Sequence, residues 1–174
     1  DSLEGIKTVR KLFRQLVKAM KYMHSKGICH ARMCLNNVLF DKSEENAYIT
    51  NFGWSLLMPV DAENRRLKSV SDYRKSEPDY CSRETIKRKA YDGVKVDVFS
   101  AGAILFMMLF GVSALTHFSK PSDKFKLFVT QRRFKEKIGL HQLELHSDGE
   151  KISNMLAQAA ELLDRMMDPD PTKR

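Results

Sequence analysis

Tryptophan occurs once in these 174 residues, proline five times, glycine eight times and cysteine three times. So little proline and glycine, with no repeat and no low-complexity stretch, excludes a collagen-like or wholly disordered chain. Cys29, Cys34 and Cys81 form an odd set without a disulfide spacing, which predicts a reducing, intracellular setting such as cytoplasm or nucleus. Charge is unbalanced as well: 30 lysines and arginines outnumber 22 acidic residues, leaving a net charge of +8 with basic runs at Lys87–Lys89 and Lys120–Lys137. No nucleic-acid motif or interleaved aromatics accompany those runs. They predict a solvated basic face or a site for an acidic partner at Lys120–Lys137, and no specific nucleic-acid binding.

Charge is nearly missing from one long stretch. Between Val96 and Phe118 the sole charged residue is Asp97. The length suits a bilayer span, but Asp97, Ser100, Gly102 and Gly111 interrupt it and no second span follows. A helix apolar on every side is also what a globular core needs, so a buried helix starting near Asp97 and no membrane span are expected.

Elsewhere the periodicities are local. Leu12, Phe13, Leu16, Val17, Met20 and Met23 recur at helical spacing from Thr8 to Lys26, and Gly27 is a natural stop. Val38–Phe40 and Ala47–Thr50 are β-prone runs flanking a polar turn, predicting a hairpin. Asn51 to Glu84 reads as a long polar loop, of functional length. A final amphipathic helix carries Ile152, Met155, Leu156, Ala159, Leu162, Leu163, Met166 and Met167 on one face, with Ser147 and Glu150 as a capping box and Pro169 as its end. The order predicts one mainly α domain over 1–174: a helical bundle around a buried central helix, with a small β-hairpin.

The stretch YMHSKGICHARMCLNNVLF, followed by AYITNFGWSLL, resembles the catalytic region of eukaryotic protein kinases. That family writes His-Arg-Asp, four residues and Asn, then a hairpin and Asp-Phe-Gly. Here stand His30-Ala31-Arg32, Asn37 and Asn51-Phe52-Gly53 with unbroken spacing. Three later landmarks agree. EPDYCSRE resembles the end of the activation segment, DGVKVDVFSAG the entry to the central helix, and LLDRMMDPDPTKR the closing motif. Together they cover Lys11 to Arg174, and the segment end looks closer to Ser/Thr than to Tyr kinases.

The resemblance implies the C-terminal lobe of a kinase-like domain, the nucleotide-gripping lobe that precedes it being absent from this sequence. It also implies degenerate chemistry. Arg32 stands at the carboxylate position, and a guanidinium cannot act as a general base. Cys34 replaces the loop lysine, Ala31 an arginine that grips phosphate, and Asn51 the main metal-binding carboxylate. Asn37 remains as a weak ligand. Leu39, Asn37 and Asn51 mark a nucleotide site that is weakened or lost, so ATP and magnesium are expected only if the preceding lobe exists. Control through Ala31 by phosphorylation of Ser69, Ser71 or Ser76 is not expected. His30, Phe52, Gly53, Glu84, Asp97 and Arg174 match structural positions: an apolar spine, an aspartate anchoring the catalytic loop, and a buried ion pair.

The implied function is a pseudokinase that serves as a protein-interaction or allosteric scaffold, with an active or weakly active atypical Ser/Thr kinase as the alternative. Arg32 and Glu77, at positions that form a hydrogen-bonded cluster in active relatives, are expected to pair. His24, Cys29, His30 and Cys34 fit no zinc spacing, and no metal is expected.

Overall fold

The computed structural model describes residues 3–41, 43, 45–58, 77–87, 90–111 and 149–174. The fold is mainly helical. Helix α1 runs over Leu3–Ser25 and buries Leu12, Phe13, Leu16, Met20 and Met23. It begins five residues before the expected Thr8, because Ile6 and Val9 extend the apolar stripe and Glu4 suits the positive end of the helix. Val17, expected on the inner face, falls off the stripe and is exposed. Gly27 follows the helix at φ +71°, a left-handed conformation that glycine adopts without steric cost.

The chain then enters strand β1 (Ile28–Cys29), passes a 3-10 turn at Leu35–Asn37, and forms β2 (Val38–Phe40) and β3 (Ala47–Ile49). The last two pair antiparallel, Val38 opposite Ile49 and Phe40 opposite Ala47, forming the hairpin expected from two β-prone runs around a polar turn. Their turn is tied together by Asp41, whose Oδ1 accepts from the Glu45 and Asn46 amides at 2.8 and 3.2 Å. Gln15 of α1 holds the hairpin from below, donating to the Glu45 carbonyl and accepting from the Ala47 amide.

The expected loop from Asn51 is more structured at its ends than its composition suggests, because pairing there is long-range. Strand β4 (Leu56–Leu57) pairs antiparallel with β1, and a short helix α2 (Arg83–Ile86) already contains Glu84. Residues 59–76, with Ser69, Ser71 and Ser76, lie outside the described residues. So do Lys120–Lys137 and Ser147.

Helix α3 (Gly93–Phe110) is the centre of the core. It starts four residues before Asp97, because the Asp92 side chain caps it by accepting from the Val94 amide at 2.9 Å. Val96, Asp97 and Phe99 through Leu105 are all buried. The helix is long and apolar enough to cross a membrane, yet more than half of it is enclosed by the fold, against α1 and the last long helix, over Gly149–Met166. At Gly93 an added Cβ would lie 2.3 Å from the Cys29 sulfur, so β1 seats directly on the start of α3.

Helix α4 (Gly149–Met166) buries Ile152, Leu156, Ala160, Leu163 and Met166. Two positions differ from the expected face: Ala160 is fully buried, while Leu162 is 42% exposed. The buried stripe is centred nearer Leu156, Ala160 and Leu163, which turns Leu162 outward.

Candidate functional site

The loop from His30 to Asn37 owes its shape to a single buried carboxylate. Asp97 of α3 has no solvent exposure and accepts from the His30 amide at 2.7 Å and the Ala31 amide at 2.9 Å. Ala31 sits at φ +61°, costly for a residue with a Cβ, and these two bonds hold it there. His24 at the end of α1 places its ring Nε2 2.9 Å from the same carboxylate. From sequence His24 is weighed only as a zinc ligand; its contact with Asp97, 73 positions away, carries no local signal.

His30 is buried, and its tautomer follows from its partners. Nε2 lies 2.8 Å from the Thr50 carbonyl, which can only accept, while Nδ1 accepts from the Arg32 amide at 3.3 Å. The neutral ring therefore carries its proton on Nε2. Phe52 meets this ring edge-on, with centroids 5.0 Å apart. The two expected spine residues thus touch, but Phe52 is 47% exposed and Leu39 54% exposed. Gly53 follows in the 3-10 turn Phe52–Trp54.

At the position where a catalytic carboxylate would be required, Arg32 reaches 3.5 Å from Glu77 Oε1. This lies within the roughly 4 Å of a direct ion pair, as expected for these two residues. The Trp54 ring centroid is 6.0 Å from the guanidinium carbon, a contact not foreseen from the sequence. Cys34 is buried, and burial raises its thiol above the ordinary range. A neutral buried thiol supplies none of the positive charge of a lysine.

Asn37 is buried, and its side-chain amide donates to the Arg32 carbonyl at 2.8 Å. That bond turns Oδ1 toward Asn51, whose side-chain Nδ2 donates to it at 3.0 Å. Asn51 adopts φ +63°, ψ +56°, a region that asparagine tolerates better than most residues. The resulting donor set does not fit a magnesium ion. It has no anionic oxygen, and of its two side-chain carbonyl oxygens that of Asn37 already accepts the Asn51 N–H. Among the described residues no group of three or more His, Cys, Asp or Glu could hold a metal.

Glu84 and Arg174 form a separate cluster. The guanidinium grips the carboxylate at 2.5 and 3.1 Å, and the arginine side chain is fully buried. It also donates to the Asp168 carbonyl at 2.6 Å and lies 4.9 Å from the Phe99 ring centroid. Ser100 of α3 donates to the Tyr80 carbonyl at 2.8 Å, fastening the segment after Glu77 to the core.

Comparison with known proteins agrees with this geometry. Residues 4–174 match the Protein kinase domain family. CBL-interacting serine/threonine-protein kinase 15 of Arabidopsis thaliana is 35% identical over 95% of this chain and 34% of its own length. CBL-interacting protein kinase 1 of Oryza sativa subsp. japonica is 32% identical over 95% of this chain and 31% of its own length. The chain spans about a third of the length of these relatives. With its landmarks in order and their scaffold contacts formed, the chain belongs to the protein kinase domain family.

Proposed function

We propose that this protein is a pseudokinase of the Ser/Thr-kinase type, which has lost phosphoryl transfer and acts as an intracellular interaction or allosteric scaffold. One observation carries the reading: the group facing Glu77 where a general base should stand is the guanidinium of Arg32. Loss of general-base help alone costs about a hundred- to ten-thousand-fold in rate, roughly 3–5 kcal/mol of barrier. The neutral Asn37–Asn51 pair adds a second deficit, since it offers no charge to a phosphate-bound cation. The scaffold contacts of Asp97 and of Glu84 with Arg174 are meanwhile complete. That combination is what a retained binding surface without chemistry requires.

The relatives are named as kinases, which favours the alternative of a weakly active enzyme acting through a preceding lobe. A radiolabelled phosphotransfer assay on the full-length protein decides between them. We expect no transfer above that of heat-inactivated protein. Magnesium-dependent turnover that Asn51→Ala abolishes overturns the proposal. A thermal shift with ATP, with and without magnesium, then separates a nucleotide-binding pseudokinase from a pure interaction module. For the latter reading we propose an acidic partner at Lys120–Lys137, from the charge of that run.

A further inference from the structure

Helices α1, α3 and α4 enclose an apolar groove of about 200 Å³. Its walls include Phe13 of α1, Leu105 and Leu109 of α3, and Ala159 and Leu162 of α4. Leu162 is the residue whose exposure departs from the helical pattern, and it stands at this groove. The charged groups in the lining are two, Arg10 and Arg14, and both are cations. Neither forms an ion pair among the described residues. The same two arginines also line an open basic depression on α1 with Lys7, Lys11 and Lys18, where Lys7 and Lys11 already pair with Glu4 and Glu45. An apolar channel therefore runs beside a cationic flank, with Arg10 and Arg14 on the boundary.

We infer that this groove docks an acidic amphipathic helix of a protein partner. The walls come mostly from mid-helix positions whose backbone groups are hydrogen-bonded within their own helices, so an occupant finds few N–H or C=O groups to pair with. It must satisfy its own backbone, which a helix does and an extended peptide does not. Apolar side chains spaced i, i+4 enter the groove, and carboxylates on the neighbouring face meet Arg10 and Arg14. The inference is independent of the loss of phosphoryl transfer, which the following titration does not probe.

The probe is a fluorescein-labelled helical peptide with leucines at i, i+4 and i+7 and glutamates on the adjoining face. A control peptide keeps the leucines and carries lysines instead. Anisotropy titration of the full chain should show the acidic peptide binding at least tenfold tighter than the basic one. Reversing both arginines, Arg10→Glu with Arg14→Glu, should weaken binding about tenfold, as two rim contacts of modest strength predict. Leu162→Glu should abolish it. All three positions are solvent-accessible, and circular dichroism of each variant checks that it is folded before the titration. Equal binding of the two peptides, or binding indifferent to these substitutions, overturns the inference. So does concentration-dependent self-association that Leu162→Glu breaks, which assigns the groove to a second copy of the chain. Binding to anionic phosphatidylglycerol vesicles that the acidic peptide fails to displace assigns it to a lipid surface and also overturns the proposal.

Discussion

Asn51 and Asn37 satisfy each other across the site, Nδ2 of one donating to Oδ1 of the other at 3.0 Å. Their orientation is not arbitrary. The Arg32 carbonyl can only accept, so it fixes the Asn37 amide nitrogen and leaves the oxygen for Asn51. An amide hydrogen thus occupies the direction from which a cation would otherwise be coordinated.

Asn51→Asp should reverse this arrangement. The new carboxylate would face the Asn37 oxygen without a proton between them, costing about 1–3 kcal/mol in magnesium-free buffer. Magnesium should restore part of that loss, since the site then offers an anionic oxygen. Melting temperatures with magnesium chloride or with EDTA check this. We expect a magnesium-dependent rise for Asn51→Asp and none for the natural protein. A rise of equal size in both would refute the account of the asparagine pair.

The two ion pairs at opposite ends of the 77–84 segment should differ sharply in worth. Arg32 and Glu77 are 28% and 41% exposed, so solvent screens them, and Arg32→Ala should cost less than about 1 kcal/mol. The Arg174 side chain is fully buried, with Glu84 nearly so. Arg174→Ala leaves that carboxylate without its partner, at about 3–5 kcal/mol. Arg174→Lys should recover little, because an ammonium cannot make the two-pronged contact. Urea denaturation midpoints measure all three. Comparable losses for Arg32→Ala and Arg174→Ala would contradict the difference in burial.

Much of this arrangement was legible in the sequence, because local patterns and motif spacing specified it. The hairpin followed from the β-prone runs Val38–Phe40 and Ala47–Thr50 on either side of a polar turn, and the central helix from a long stretch almost free of charge. The partnerships of Asp97, of Glu84 with Arg174, and of His30 with Phe52 were reached through resemblance to kinase motifs. Features that depend on distant contacts were not legible. Two-residue strands such as Ile28–Cys29 have no periodicity to detect, and β4 exists only because β1 lies beside it. The approach of His24 to Asp97 and of Trp54 to Arg32 likewise depends on how whole elements pack. Leu162 illustrates the same limit: a small rotation of α4 separates an inner leucine from one at the groove.

The buried thiols should make the fold sensitive to alkali. Burial, reinforced by the nearby Asp97 charge, pushes Cys29 up from its ordinary 9.0 to about 12. Burial also raises Cys34. A raised acid keeps its proton in the folded state when the unfolded chain has already lost it. The native state then binds more protons than the unfolded one, so stability falls as pH rises. For Cys29 the contribution is intact below pH 9 and is lost progressively between 9.0 and about 12. Within that window the slope approaches about 1.4 kcal/mol per pH unit. Other groups titrate there too, so the informative quantity is the difference between the natural protein and Cys29→Ala. Melting temperatures taken from about pH 8 to about pH 10 should fall more steeply for the natural protein. Iodoacetamide should label Cys29 only at the rate of unfolding over the same range. Identical pH slopes in the two proteins, or rapid labelling of the folded chain, would show that this sulfur is not held as a neutral, enclosed thiol.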